Sequence, residues 1–399
     1  MQTFNLSANI ENGFAKGMQY IVTPNAQNVV NNLINGFKTG IHSYTIIGTY
    51  GTGKSSFLLA LEADLDKKNR SKYLLNPKLL SECTEFEILN IVGDYADLSV
   101  LLGRKLNMEG ASNSVLDELK AYYQRLAKEN KFLLLVIDEF GKVLEHAAKN
   151  NPEQELYSTK LAEFVNVLLE YFVDNDIASE FSSYAKSLNE EQRNEWTKVK
   201  GRFKELVFVE PVEQLLYLAS CQRRGVHTAI EDEDTFRGIF SLGQTTKFLK
   251  DTLSYSTAKQ LYPLDPFAAY VMTQAIQRYG QNERSLFSFL AAKGQGSLNE
   301  FKPQKCMTYN LGIVYDYIIY NFYSTLKDVH FDSTSWSVIH STIVRAEGLN
   351  IWASQREMCD AIELVKAVGL LNLFGVASFH MTVKELACYA KRCDEYIQC

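Results

Sequence analysis

Residues Gly48 to Ser55 read Gly-Thr-Tyr-Gly-Thr-Gly-Lys-Ser, a complete Gly-x-x-x-x-Gly-Lys-Ser phosphate loop. Glycines let such a backbone curl into a nest of N–H groups aimed at phosphate oxygens, and a following helix adds its positive end. Gly48, Thr49, Tyr50, Gly51, Thr52, Gly53 and Ser56 are therefore candidates for lining a phosphate cradle. Lys54 is the candidate to reach the β- and γ-phosphates, and Ser55 to ligate magnesium. A second constellation lies downstream, where the apolar run Phe132 to Ile137 ends in Asp138-Glu139. Strands of a parallel sheet covered on both faces read as unbroken apolar runs, and ligands bind at their carboxyl ends. Asp138 is thus placed to hold magnesium through water, and Glu139 to orient and deprotonate an attacking water. The competing reading is a buried strand whose acids only cap the next turn. A glutamate beside the aspartate favours hydrolysis over phosphorylation of a small molecule. With no Asn-Lys-x-Asp motif to read guanine, the expected cofactors are ATP and Mg2+.

These residues need elements to hold them. Tyr44 to Ile47 is a short apolar strand before the loop, and Phe57-Leu58-Leu59-Ala60 opens a helix after it. Upstream, Thr23-Pro24 starts a helix carrying Val29, Val30, Leu33 and Ile34 at helical spacing. Phe86 to Tyr95 reads as a second strand, Leu98 to Leu106 and Val115 to Glu129 as helices, and Glu155 to Leu168 as helix. Glu205 to Val209 is a further strand, followed by the helix Val212 to Arg223. Alternation of this kind predicts an α/β fold, a P-loop NTPase parallel sheet flanked by helices with right-handed crossovers. A helical region, which a resemblance to AAA+ ATPases implies is a lid, and a mainly helical, winged-helix-like domain are expected after it. The expected division is a lead-in segment at 1–38, an ATPase core at 39–225, a lid at 226–304 and a C-terminal domain at 305–399.

Composition sets the outer bounds. A chain of 399 residues exceeds one ordinary domain, and 46% hydrophobic with 22% charged residues describes a globular protein. No run approaches the roughly 20 apolar residues that span a bilayer. The first residues, Met1 to Phe14, lack the basic-then-apolar pattern of an export signal, so a cytoplasmic location and no membrane partner are expected. The 7 cysteines form no Cys-x-x-Cys pair and read as reduced thiols. A net charge of −6 argues against nonspecific coating of nucleic acid. Lys198, Lys200, Arg202 and Lys204 are the densest basic run, readable as a local nucleic-acid contact or as one solvated edge. Ending on Cys399 without a tapering tail fits a piece of a longer protein.

Gly201-Arg202-Phe203 stands at the end of a helix and ahead of the Glu205 strand. Here the sequence resembles the AAA+ ATPases of initiator or STAND type, over roughly residues 23–290. The resemblance implies that Arg202 reaches the γ-phosphate held by a neighbouring subunit, where an arginine stabilises transition-state charge. That role requires an oligomer; the alternative is a surface arginine paired with Glu205 or Glu195. Gly-Gln-Asn-Glu-Arg-Ser-Leu-Phe, from Gly280 to Phe287, sits where such ATPases carry a lid arginine, which makes Arg284 a candidate sensor of the γ-phosphate. Plain capping by Asn282 with a surface arginine is the rival. Together with Asp138-Glu139-Phe140-Gly141-Lys142, these motifs resemble ATP-binding proteins of bacterial antiphage defence islands, such as bacteriophage-exclusion ATPases. That resemblance implies work beside defence-system partner proteins.

Two stretches complicate the pattern. The fold needs a central strand ending in a polar sensor residue, yet Val167 to Phe181 carries Glu170, Asp174 and Asp176, too acidic for a buried strand. The sheet is expected to lose that strand or to use Leu168 to Val173. Codons permitted for Glu170 to Phe181, read one nucleotide later, can spell Asn-Ile-Leu-Leu-Thr-Thr-Ile-Leu-His-Gln-Asn-Phe, an apolar strand with a polar end. Without it, hydrolysis is expected to be slow, and a nucleotide-gated interaction protein becomes the alternative to an ATPase. In the C-terminal region, Tyr309 to Ser324 and Met358 to Val368 read as amphipathic helices and Leu370 to Phe374 as a short strand. Thr382-Val383-Lys384-Glu385 is a capping box before a last helix. Helices around a hairpin suggest the winged helix, suited to contacting DNA or packing on a partner.

Overall fold

β1, Ser43–Gly48, is buried along its whole length and carries the chain straight to the first loop glycine. A computed structural model of the chain describes residues 10–13, 20–48, 51–66, 72–75, 85–108, 112–140, 142–143, 146, 203–223, 229–280, 286–291, 296–302, 308–327, 332–376 and 379–390, together with the backbone of 166–172. Two compact units divide it, Met1–Glu210 and Pro211–Cys399.

In the first unit, α1 (Pro24–Lys38) begins with proline in its first turn, and Thr23 Oγ1 accepts a hydrogen bond from Ala26 N at 3.0 Å. After β1 come α2 (Lys54–Leu65), β2 (Glu85–Val92), α3 (Leu98–Lys105), α4 (Ser112–Lys128), β3 (Lys131–Asp138), β4 (Asn166–Phe172) and β5 (Lys204–Val207). The sheet order is β2-β3-β4-β1-β5, and neighbouring strands run parallel. Alternate residues of β3 face opposite cores, which is why its apolar run is unbroken. Leu133, Leu135 and Ile137 join Leu98, Leu102, Val115 and Leu119 in one cluster. Val136 joins Val30, Ile34, Phe57 and Leu61 in the other, from α1 and α2.

β4 corrects two expectations. Residues 166–168, expected in a helix, are strand, while 155–165 lie outside the described residues. The sheet does not lose the strand: it uses the Leu168 to Val173 alternative shifted toward the N-terminus, as Asn166–Phe172, with Leu134↔Asn166 on one side and Gly48↔Phe172 on the other. Glu170 lies within its described bounds, and Asp174 and Asp176 lie outside the described residues. Pairing on both edges satisfies its backbone groups.

The second unit is helical: α5 (Val212–Gln222), α6 (Glu233–Thr245), α7 (Tyr255–Gln260), α8 (Pro266–Tyr279), α9 (Leu286–Ala291), α10 (Leu311–Lys327), α11 (Ser333–Glu347), α12 (Gln355–Phe374) and α13 (Val383–Ala390). One apolar core runs through it from Leu215 to Tyr389. Buried polar groups fix how its helices meet. Asp265 caps α8 through Ala268 N at 2.8 Å and accepts from Tyr389 Oη at 2.9 Å, while that hydroxyl accepts from Leu311 N at 3.2 Å. Asp332 takes Tyr279 Oη at 2.6 Å and Arg278 at 3.1 Å. The Thr382 capping box forms, with Thr382 N donating to Glu385 at 2.7 Å and Glu385 N donating back at 3.3 Å. Leu370 to Phe374 is not a strand but the last part of α12. Among the described residues from 305 onward the named elements are helices, in line with the mainly helical expectation.

Candidate functional site

The phosphate loop leaves the sheet where two backbones nearly touch. A Cβ on Gly48 would lie 2.1 Å from the Phe208 carbonyl oxygen, so only glycine fits, and Phe208 N donates to Ile47 O at 2.6 Å. Gly51 and Gly53 hold φ of 71° and 93°, the left-handed region that glycine enters without penalty. Gly53 is the N-cap of α2 and supplies no capping side chain, which leaves the first turn's amides to the loop and an anion.

Lys54 follows, only 6% exposed, with Nζ donating to Gly48 O at 2.8 Å. Burial lowers its pKa to about 8, and the negative charges of Asp138 and Glu139 oppose that drop. The two carboxylates of the β3 tip therefore act on the loop lysine. Ser55 closes the connection: its side chain hydrogen-bonds to the Asp138 carboxylate. Asp138 is 3% exposed, and Oδ1 also accepts from Glu139 N at 3.1 Å. Burial raises its pKa, the Ser55 bond opposes, Glu139 adds to the rise and Lys54 counters it.

Sequence-predicted residues thus converge where they are described. Gly48, Gly51, Thr52, Gly53, Lys54, Ser55 and Ser56 form the loop and the start of α2, and Asp138 and Glu139 end β3 beside them. Thr49, Tyr50, Arg202 and Arg284 lie outside the described residues, as do Asn282, Lys198 and Lys200. Lys204 opens β5.

Three features were not evident from the sequence. Gly93, after β2, packs under the acidic turn: a Cβ there would lie 2.3 Å from Glu139 O, and its N–H donates to Asp138 O at 2.7 Å. Glu139 itself has φ of 53°, unusual for a residue with a side chain, and its carboxylate is ion-paired with Lys142. Behind the loop, Glu62 of α2 accepts from Asn90 Nδ2 at 2.8 Å, and the same amide reaches Ile10 O at 3.1 Å. Burial raises Glu62 to about 7, the Asn90 bond opposes, and the Asp138 charge adds to the rise. A glycine directly after an apolar strand was the one signal that could have pointed to Gly93.

At the other edge of β1, Glu210 is 2% exposed and accepts from Thr23 Oγ1 at 2.5 Å and Asn25 Nδ2 at 3.4 Å. Burial raises its pKa against those bonds. This couples the start of α1 to the chain after β5.

The Ser55 hydroxyl and the Asp138 carboxylate are hard oxygen donors within hydrogen-bond reach of one another, a set that fits Mg2+ completed by phosphate oxygens and water. No group of three or more His, Cys, Asp or Glu side chains suited to a metal occurs among the described residues. Nor is any described helix long and apolar enough to cross a membrane.

No protein-family model matches the chain, and no curated protein matches it. Solved structures do. The Aeropyrum pernix ORC1 protein in complex with DNA is similar at 13% identity, over 92% of this chain and 82% of that one, with a TM-score of 0.36. The A. pernix ORC2 protein in its ADPNP-ADP complexes gives 13%, 88%, 96% and 0.36. Cdc6p from Pyrobaculum aerophilum gives 12%, 93%, 86% and 0.34. A likeness at this level assigns no ligand or activity, and the site speaks through its own geometry.

Proposed function

We propose that the chain binds Mg-ATP and hydrolyses it, coupling the cycle to a conformational or assembly change. One observation supports this reading: residues from two separate stretches of sequence come together, the Ser55 side chain hydrogen-bonding to Asp138 and the Asp138 charge acting on the buried Lys54. Lys54 offers its charge to the β- and γ-phosphates, loop amides hold their oxygens, and Ser55 and Asp138 hold the magnesium ion. Bound magnesium supplies charge neutralisation on the phosphates. Glu139, at the strand tip, orients and takes a proton from the attacking water. Arg284 from the 226–304 lid and Arg202 from a neighbouring copy complete the proposal as γ-phosphate contacts, which makes the working form an oligomer. The motif set supports a cytoplasmic role in bacterial antiphage defence beside partner proteins, with 305–399 packing on a partner or on DNA.

A second reading, a nucleotide-gated switch with little turnover, is favoured by β4. Its last described residues, opposite Ile47 and Gly48, are the aromatic pair Tyr171-Phe172, where a hydrolytic site of this kind is expected to carry a smaller polar residue to touch the water. Purified protein separates the two. Binding of a fluorescent ATP analogue that Lys54→Ala removes supports the pocket. Phosphate release that Glu139→Gln abolishes while binding persists supports the hydrolase, and tight binding without release supports the switch. Failure of the wild-type chain to bind adenine nucleotides defeats both.

A further inference from the structure

α8 ends on Arg278-Tyr279, and both side chains leave their own helix to meet Asp332, the residue before α11. Aspartate in that position usually caps its helix, yet Asp332 makes no side-chain capping bond to α11. Its buried carboxylate instead accepts from Tyr279 Oη at 2.6 Å and from Arg278 Nη1 at 3.1 Å. Trp336, one turn into α11, donates Nε1 to the same tyrosine hydroxyl at 3.1 Å. The Arg278 guanidinium also reaches Leu373 O at 3.4 Å and lies 4.9 Å from the centre of the Phe374 ring, both at the end of α12. One cluster therefore fastens α8 to α11 and α12.

Two more fastenings join the 226–304 stretch to 305–399. Tyr309 N donates to Pro263 O at 2.8 Å and Asp265 N to Tyr309 O at 3.2 Å, a backbone bridge just before α8. Asp265, 1% exposed, takes the Tyr389 hydroxyl of α13, which in turn accepts from Leu311 N at the start of α10. Between these polar joints, Phe267 and Val271 of α8 share one apolar core with Val314 and Ile318 of α10 and Leu370 of α12. Domains that move apart meet across modest, polar interfaces. A shared apolar core with buried carboxylates bonded across it resists such motion, because opening it strips Asp265 and Asp332 of these donors. We propose that α8 and α10–α13 form one rigid arm, with the Asp332 cluster as its main joint, so that a force on either side of residue 305 is delivered to the other. The stretch carrying Arg284 follows α8 directly in sequence. Under the ATPase reading, on which this transmission rests, a nucleotide that draws on Arg284 turns α10–α13 as well; the arm itself stands without that reading.

Hydrogen exchange on the full chain is the test. In nucleotide-free protein the slowest amides of α8, α10 and α12 are expected to open as one class. Ile343→Val, in α11, removes one buried methyl group beyond the joint and is expected to speed exchange in α8 as much as in α12, by about 2- to 10-fold. Ile239→Val, in α6, is expected to do the same from the other side. Tyr279→Phe keeps the ring and deletes the shared hydroxyl, so exchange in all three helices is expected to quicken about 10- to 100-fold. Exchange that quickens in α12 but not α8 for Ile343→Val, or in α8 but not α12 for Ile239→Val, overturns the rigid arm. Unchanged exchange in Tyr279→Phe overturns the role of the joint. A saturating ATP analogue reads the transmission: protection is expected to change by the same factor in α8 and α12, and a change confined to α8, or none, overturns it. A chain that fails to bind the analogue defeats the pocket reading and the transmission, while the arm is decided by the nucleotide-free experiments alone.

Discussion

Gly93→Ala probes the acidic turn without touching a titratable group. A Cβ at this position would stand 2.3 Å from Glu139 O, 2.8 Å from Glu139 C and 3.1 Å from Asp138 O. All three are backbone atoms, so no rotamer change relieves the clash. Ordinary contact begins at 3.4 Å, and 3.4 − 2.3 leaves 1.1 Å to be found by moving the β3 tip or the end of β2. The Gly93 N to Asp138 O bond, now 2.7 Å, must stretch with it. Gly93 is not among the residues with positive φ, so alanine meets no backbone penalty and the effect is steric. Overpacking of this kind costs about 1–3 kcal/mol, less the ~0.4–1 kcal/mol that alanine gains by restricting the unfolded chain. For a unit of this size a net loss of about 1–2 kcal/mol lowers Tm by roughly 2–8 °C. A 1 Å displacement of a catalytic carboxylate costs about 100-fold in rate. Phosphate release and thermal melting are the two assays, with analogue affinity as the control, expected to change by less than about threefold because the loop and Lys54 stay in place. A Gly93→Ala protein with wild-type Tm and wild-type turnover would refute the reasoning.

Three further predictions follow from other parts of the molecule. Glu62, raised to about 7 from 4.5, holds its proton in the folded state at pH values where the unfolded chain has released it. Stability is therefore expected to fall as pH rises from about 4.5 to 7, by roughly 1–3 kcal/mol, and Glu62→Gln should flatten that slope in urea melts and stabilise the protein at pH 8. Thr23→Ala removes both the cap of α1 and a donor to the buried Glu210 carboxylate, so a loss of about 1–3 kcal/mol is expected, which calorimetry would register and Thr23→Ser would largely restore. The coding sequence across Glu170 to Phe181 decides whether a shifted frame can supply a polar strand end: codons unable to spell Asn-Ile-Leu-Leu-Thr-Thr-Ile-Leu-His-Gln-Asn-Phe end that possibility and favour slow turnover.

Local chemistry was legible in the sequence and tertiary contact was not. The loop, its strand and its helix declared themselves because glycine spacing and apolar runs are properties of consecutive residues. Asp138 stood out for the same reason, since β3 is apolar from Phe132 to Ile137 and Asp138 is its last residue. Gly93, Asn90 and Glu210 have no such signature, because each matters only through a partner distant in sequence: Asn90 joins Glu62 and Ile10, and Glu210 joins Thr23. The misjudged segments have physical causes as well. Around β4 most of the acidity belongs to Asp174 and Asp176, whereas the described strand, Asn166–Phe172, carries only Glu170. Leu370-Leu371-Asn372-Leu373-Phe374 looked strand-like for its apolar density, yet it has no β-branched residue and leucine favours helix, so it extends α12.

The position of β4 gives the pocket its scale. With β4 between them, β1 and β3 stand two strand spacings apart, about 9–10 Å from phosphate loop to acidic tip. Lys54 and Ser55 begin α2 directly after the loop, and the Ser55 side chain reaches across to Asp138. In the proposed complex the β-phosphate lies over the nest at β1 and the γ-phosphate toward β3, which is why the water-activating role is proposed for the β3 side. Glu139 is the carboxylate at that end, and its left-handed φ of 53° turns the chain there, out of the strand. Were β4 absent, β1 and β3 would be neighbours about 4.8 Å apart, and loop and tip would have no room for a phosphate chain between them. A strand that the sequence made hardest to accept is therefore the one on which the proposed chemistry depends, and breaking it with Leu169→Pro, at a position paired to both Thr45 and Ile137, is expected to abolish nucleotide binding as completely as Lys54→Ala.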